Sequence, residues 1–252
     1  MRIAVVGGTG TVGKYVVKAA EQAGHQVAAL SRRAGVDVQT GDGLDAALIG
    51  VDVVVDAINA ETMSRSKATA IFTESTRRLQ RVGAAQGVSR LVTLSIVGID
   101  RVPFGYYQAK LAQEAAALEG PLPVTIVRAT QFHEFPAQAF KRVHLGPMVL
   151  MPQMRVQPIA ARSVGEVLVK VATAPLVETT IEVAGPEPAD MVDMARAAAA
   201  RLGQRMAVVP IRLPGRAGKA MRSGGLLPDL GAHLVGPRFD EWLIGEDLAA
   251  VG

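Results

Sequence analysis

Three side chains in the middle of the sequence have the types and spacing to move a proton beside a carbonyl group. Tyr106 and Lys110, in the run YYQAK, stand four residues apart, and Ser95 closes the apolar run before them. On a helix such a pair shares one face. A tyrosine hydroxyl with an ordinary pKa of about 10 is a poor acid–base catalyst at neutral pH. A neighbouring ammonium favours the phenolate and is expected to lower that value. The same spacing also arises on any exposed helix with its aromatic packed and its lysine solvated, and Tyr107 offers a second hydroxyl next door. What separates these readings is what the surrounding elements are built to hold.

Those elements begin with a glycine run. Gly7-Gly8-Thr9-Gly10-Thr11-Val12-Gly13 follows the apolar run Ile3 to Val6 and opens a helical stretch. It satisfies G-x-G-x-x-G through Gly8, Gly10 and Gly13, and G-x-x-G-x-x-G through Gly7, Gly10 and Gly13, the setting of a dinucleotide phosphate loop. Glycine serves three needs there. The turn uses backbone angles closed to other residues, a side chain would block the pyrophosphate, and the helix must pack tightly on the strand. The helix N-terminus then offers free N–H groups and a partial positive charge of about half a unit. Gly7, Thr9, Gly10, Thr11, Val12 and Gly13 are the expected pyrophosphate contacts.

At the end of the second strand, folds selective for NAD carry a carboxylate for the ribose 2′-OH. This sequence reads Leu30-Ser31-Arg32-Arg33 at that point. A forked guanidinium matches a phosphate with charge-assisted hydrogen bonds, so Ser31, Arg32 and Arg33 predict NADP(H) ahead of NAD(H). Asp42, in Thr40-Gly41-Asp42-Gly43, has two readings: a partner of the adenine amino group, or a helix N-cap.

Hydrophobic periodicity supplies the frame. Strands are expected at Arg2 to Val6, Gln26 to Leu30, Val36 to Thr40, Val51 to Ala57, Arg90 to Ser95 and Val124 to Arg128. Helices are expected between them, about Thr11 to Ala23, Ser64 to Gln86 and Tyr106 to Leu118, with Arg77, Arg78 and Arg81 on a solvated face. This alternation means βαβ units and a parallel sheet with helices on both faces, a doubly wound Rossmann fold. Residues about 131–155 are broken by Pro136, Gly146, Pro147 and Pro152 and read as substrate-side loops with short elements. A helix at Ser163 to Thr173, a strand at Glu178 to Val183 and an alanine-rich helix at Pro188 to Leu202 follow. The expected organisation is a Rossmann domain over 1–185 and a small, irregular C-terminal substrate lobe over 186–252.

Composition narrows the chemistry. With no cysteine in 252 residues, disulfides, thiolate metal sites and a cysteine nucleophile are excluded. The four histidines show no metal-ligand spacing. A net charge of +4 comes from scattered residues without the clustered footprint of a nucleic-acid binder. No apolar run is long enough to span a bilayer, and the chain opens on a strand, not on a basic-then-apolar leader; a cytoplasmic protein is expected.

Taken together, these features resemble the atypical short-chain dehydrogenase/reductase superfamily, in particular its NmrA-like, NAD(P)H-binding branch. The resemblance is carried by VVGGTGTVG, Ser31-Arg32-Arg33, Gly41-Asp42, Asp56-Ala57-Ile58-Asn59, LVTLSIVGID, YYQAKLAQE and IEVAGPEP, and it fades beyond about Pro188. It implies that Ser95 orients a substrate carbonyl, Tyr106 donates a proton, and Lys110 binds the nicotinamide ribose and tunes the tyrosine. Ala57, Ile58 and Asn59 would line the cofactor. The spacing from Ser95 to Tyr106 is slightly shorter than the family's usual one. Phe104, Phe132, Phe135 and Met148 would wall a substrate pocket or simply fill core, and His133 would contact substrate or bond to backbone. The implied activity is NADPH-dependent reduction of a carbonyl or quinone-like small molecule by a monomer or homodimer. The alternatives are a non-catalytic NADP(H) sensor and, further off, sugar epimerase or dehydratase chemistry.

Overall fold

A computed structural model describes residues 1–245 except Met63, Val143, Pro147, Leu176 and Val177. The last seven residues of the expected C-terminal lobe, and residues 143 and 147 of the expected substrate-side loops, therefore lie outside the described residues. In chain order the elements are β1 (Arg2–Val6), α1 (Gly13–Gln22), β2 (Gln26–Leu30), α2 (Leu44–Ala47), β3 (Val53–Asp56), α3 (Arg65–Ala85), β4 (Arg90–Ile96), α4 (Gly105–Leu118) and β5 (Val124–Ala129). Then come α5 (Phe135–Arg142), β6 (His144–Leu145), β7 (Met148–Pro152), β8 (Arg155–Val156), α6 (Ala161–Thr173), β9 (Thr180–Ala184), β10 (Ala189–Asp190), α7 (Met191–Arg201), β11 (Ala207–Ile211), α8 (Gly215–Arg222), β12 (His233–Leu234) and α9 (Phe239–Ile244).

The chain forms two compact units. The first comprises 1–96, 105–128 and 162–181; the second comprises 97–104, 129–161 and 182–252. The central sheet has seven strands in the order β12-β9-β5-β4-β3-β1-β2. β1 pairs in parallel with both β2 and β3, and β3 pairs in parallel with β4. At the far edge β12 runs parallel to β9 through Val183 and Ala184. This is a Rossmann-like α/β fold. Strands β1 and β3 are buried along their length apart from Arg2, and apolar apart from Arg2 and the terminal Asp56, as suits strands covered by helices on both faces. The chain moves from β1 to β2 on one side and returns to β3 on the other. The carboxyl ends of β1 and β3 therefore flank the point where strand order reverses, where such sheets bind ligands.

One expected strand is absent. Residues Val36 to Thr40 form a turn, and β2 is left as the edge of the sheet. The cause is local. Gly35 takes a left-handed conformation, Asp37 Oδ1 accepts from the Gln39 N–H, and the Gly41 N–H bonds back to the Asp37 carbonyl. An Asx turn of this kind satisfies the backbone internally and leaves nothing to pair with a neighbouring strand.

In the second unit, the 131–155 stretch holds α5 and three short strands. There β7 pairs antiparallel with β6 and parallel with β11, and β8 pairs with β10. The region after Gly203, expected to be irregular, contains β11, α8, β12 and α9.

Candidate functional site

The glycine loop is shaped by collisions it avoids. Gly7 sits at φ +72°, and a Cβ there would stand 2.7 Å from the Ala57 carbonyl oxygen. A Cβ on Gly13 would land on the Gly7 carbonyl oxygen, so α1 approaches β1 as closely as only glycine allows. The Gly10 N–H donates to the Gly7 carbonyl at 2.8 Å and closes the turn. Thr9 and Gly10 form an exposed crest, Thr11 is half-buried, and Val12 and Gly13 are buried. Val12 is the N-cap of α1, and no side chain caps that end. The Lys14 and Tyr15 N–H groups donate to the Gly10 and Val12 carbonyls, and the helix offers its positive pole beside a crest without bulk, which fits a pyrophosphate.

Beside this loop, Ser31 caps the short 3-10 turn Arg32–Ala34 by accepting from the Ala34 N–H at 3.3 Å. Arg32 and Arg33 are exposed. Asp42 is not a helix N-cap: that position is Gly43, and the Asp42 carboxylate accepts from the Thr40 hydroxyl at 2.7 Å.

On the other side of β1, Ala57, Ile58 and Asn59 leave the end of β3, with the Ala57 N–H donating to the Val6 carbonyl. The Tyr106 hydroxyl donates to Asn59 Oδ1 at 2.6 Å. The structure thus brings Tyr106 and Asn59 together, on a turn whose first residue closes against Gly7. Tyr107, by contrast, is buried, which leaves Tyr106 as the more accessible phenol.

Ser95 and Lys110 are engaged elsewhere. The Ser95 hydroxyl is buried and donates to Glu114 Oε1 at 2.5 Å. Both Glu114 oxygens also accept from Arg128, through Nε at 3.0 Å and Nη2 at 2.7 Å. The Lys110 ammonium donates to the Leu94 carbonyl at 2.7 Å and to Gln113 Oε1 at 2.6 Å, and lies 4.8 Å from the centre of the Phe72 ring. Tyr106 packs edge-on against that same ring. The expected lowering of the tyrosine by Lys110 does not occur in this arrangement: burial pushes Tyr106 up to about 12. Burial also pulls Lys110 down to about 8, against the opposing pull of Asp56 and Glu114.

Behind these residues is a buried chain that the sequence reading passed over. Gln113 Nε2 donates to Asp56 Oδ2 at 2.9 Å, while its oxygen accepts from the Lys110 ammonium. The Ile58 N–H donates to Asp56 Oδ1 at 3.1 Å, and the Thr76 hydroxyl reaches the other oxygen. Burial raises the Asp56 carboxyl above its ordinary value. The signal was present in the sequence: a charge ending the apolar run VDVVVD, and two polar residues one turn beyond Lys110 on the inner face of α4.

The substrate-side candidates all belong to the second unit. Phe104 is half-buried, and Phe135 begins α5 with 37% exposure. His133 is fully buried, bonds through Nε2 to the Pro237 carbonyl at 3.2 Å, and packs among Phe239 and Trp242 of α9. Its backbone-bonded reading fits this environment, and burial lowers its pKa to about 4. Among the described residues there is no cluster of metal-binding side chains, and no helix is long and apolar enough to cross a membrane.

A glycine crest at the switch point of a parallel sheet, before an uncapped helix, is the arrangement of a dinucleotide-binding Rossmann fold. Residues 34–175 match the model of the NAD(P)H-binding family, and the chain belongs to that family. The match begins after the glycine loop, so the loop's geometry, which fits a pyrophosphate, is an observation independent of it. No curated protein sequence matches. Among solved structures, the chain is similar to a short-chain dehydrogenase/reductase superfamily protein from Agrobacterium tumefaciens with bound NAD, at 19% identity and TM-score 0.70, over 100% of this chain and 97% of that one. It is similar to dTDP-4-dehydrorhamnose reductase from Bacillus anthracis in complex with NADP, at 14% identity and TM-score 0.70, over 96% of each chain. It is also similar to UDP-N-acetylglucosamine 4-epimerase from Bacillus cereus, at 16% identity and TM-score 0.68, over 100% of this chain and 96% of that one. At these identities the likeness is one of fold.

Proposed function

We propose that the protein is an NADPH-dependent reductase of a small carbonyl or quinone-like compound, with Tyr106 as the proton donor. The bound nicotinamide would supply the hydride. The chain's own part is to hold the pyrophosphate on the N-terminus of α1, to grip the 2′-phosphate with Arg32 and Arg33, and to deliver a proton from the Tyr106 hydroxyl. The observation that carries this reading is the 2.6 Å bond from Tyr106 to Asn59, on the turn that closes against the phosphate loop. That bond fixes the phenol, which is protonated at neutral pH; burial makes it a weaker acid than a free tyrosine, so the donation relies on positioning rather than on a tuned pKa. Ser95 is bonded inside the Glu114–Arg128 pair and Lys110 inside the Asp56–Gln113 chain, so the proposed step uses neither as these stand.

Those two engagements favour a second reading, a non-catalytic NADP(H) sensor. Titration with NADPH and NADH, followed by turnover with a panel of quinones and aldehydes, separates the two. For the reductase, Tyr106→Phe loses about 100-fold in kcat, the scale of a general acid, with NADPH affinity retained. Tight NADPH binding without turnover, and a silent Tyr106→Phe, would leave the sensor. Arg32→Asp is expected to move coenzyme preference towards NADH in either case.

A further inference from the structure

Arg78 departs from the solvated face on which the sequence puts it. It is half-buried, and its Nη1 donates to the Val38 carbonyl at 2.8 Å and also to the Gln39 carbonyl. Gly41, at φ +96°, lies directly over it: a Cβ there would stand 3.0 Å from Arg78 Cδ and Nε. The arginine stem thus runs beneath the turn that replaces the expected third strand.

That turn is a single bonded piece. The Asp37 N–H donates to the Asp42 carbonyl at 3.0 Å, and the Gly41 N–H returns to the Asp37 carbonyl at 2.7 Å. Thr40 holds the Asp42 carboxylate, and the Val36 N–H bonds to the Ser31 carbonyl at 3.1 Å. A Cβ on Gly43 would fall on the Gly35 carbonyl oxygen, which closes the two ends of the loop together. Arg32, Arg33 and Asp42 therefore hang from one self-bonded loop. Buried Val38 and Leu44 anchor it in the core, but apolar burial is non-directional. The forked contact from α3 to two successive carbonyls supplies the direction.

We propose that Arg78 is a positioning residue for the adenine end of the dinucleotide: by clamping the Asp37–Gly43 turn onto α3, it sets where Arg32 and Arg33 meet an adenosine 2′-phosphate and where Asp42 meets the adenine amino group. The inference rests on the NADP(H) reading above. The test is equilibrium binding of 2′,5′-ADP, 5′-AMP and nicotinamide mononucleotide to the full chain, as wild type, Arg78→Met and Arg78→Lys. Arg78→Met should weaken 2′,5′-ADP by about 10-fold, the scale of a lost hydrogen bond to a charged group. Nicotinamide mononucleotide should bind unchanged, and Arg78→Lys, which keeps one charged donor, should fall between wild type and Arg78→Met. Unchanged 2′,5′-ADP binding overturns the proposal, and so does equal weakening of all three probes, which would mean general loosening of the fold. If wild type prefers 5′-AMP as strongly as 2′,5′-ADP, the NADP reading fails separately. The clamp is then judged on 5′-AMP, which must weaken in Arg78→Met while nicotinamide mononucleotide does not. Should Arg78→Met not fold, the same comparison is made with Arg78→Lys.

Discussion

Both units bury polar side chains, but they accommodate them differently. In the first, Asp56, Gln113, Lys110 and Thr76 bond to one another and to backbone, and Ser95, Glu114 and Arg128 form a second closed group. Gln80 spends both ends of its amide, donating to the Ala117 carbonyl at 2.6 Å and accepting from the Leu122 N–H at 2.7 Å. The hydroxyls of Ser75 and Thr93 are buried and unmatched in this unit. In the second unit, the Thr130 hydroxyl, both ends of the Gln131 amide, His133 Nδ1 and Trp242 Nε1 are buried without a protein partner. A satisfied network holds its members in one geometry, whereas an unmatched buried group carries its full desolvation penalty. The first unit thus holds these polar groups in one geometry, and the second unit retains hydrogen-bonding capacity in its interior.

Breaking the first kind of group should have the largest effect. Glu114→Ala removes the partner of a guanidinium whose side chain is only 18% exposed, and strands Ser95 with it. Removing one half of a buried pair typically costs about 3–5 kcal/mol, because the other charge stays buried. Urea unfolding at pH 7 measures this. A loss under about 1 kcal/mol, the range of an exposed pair, would mean water reaches the site and would erase the contrast between the units.

How much of this was legible beforehand follows the same division. The glycine turn could be read because its requirements are local: glycine spacing between an apolar run and a helix encodes the turn directly. The parallel sheet could be read because β1 and β3 carry the short apolar runs Ile3 to Val6 and Val53 to Val55. The edge turn at Val36 to Thr40 was misjudged because Asp37, Gly41 and Gly43 outweigh two valines, and that depends on bonds closing a loop. Arg78 was misjudged because its partners are carbonyls some forty positions away, which no helical wheel contains. A domain boundary read from sequence is a single cut, whereas the second unit takes residues from three separate stretches. Ser95, Tyr106 and Lys110 were found by type, but their hydrogen-bond partners depend on side-chain directions that spacing does not fix.

A second prediction uses pH, since each unit buries a base whose pKa is lowered by burial. His133 ordinarily titrates at 6.5 and is held at about 4 by burial. The unfolded chain therefore binds the extra proton first, and stability falls as pH drops from 6.5 towards 4. At most about 3 kcal/mol is lost over that window, taking 1.36 kcal/mol per pKa unit. Lys110 behaves likewise at higher pH: its value falls from 10.5 to about 8, so stability rises as pH climbs between those limits. Asp56, raised by burial, acts with the opposite sign in acid, so the difference between wild type and His133→Leu isolates the histidine. Thermal melts across pH 4–10 should show His133→Leu flattening the acid limb alone and Lys110→Met the alkaline limb alone. A single shared change in both limbs would mean that the two bases do not titrate independently.

The smallest effect makes the sharpest comparison, because it applies one substitution to both units. Gln80→Met keeps side-chain length but leaves the Leu122 N–H and the Ala117 carbonyl short of a partner in a buried setting. The expected cost is about 1–3 kcal/mol, the penalty of an unmade bond to a buried group. Gln131→Met makes the same chemical change where neither amide atom has a protein partner. It removes two unmatched polar atoms and adds apolar volume, so stability should stay within about 0.5 kcal/mol or rise slightly. Chemical denaturation of the two variants side by side is sufficient. If Gln131→Met costs as much as Gln80→Met, ordered water satisfies the second unit's amide, and the two interiors differ only in whether protein or solvent supplies the partner.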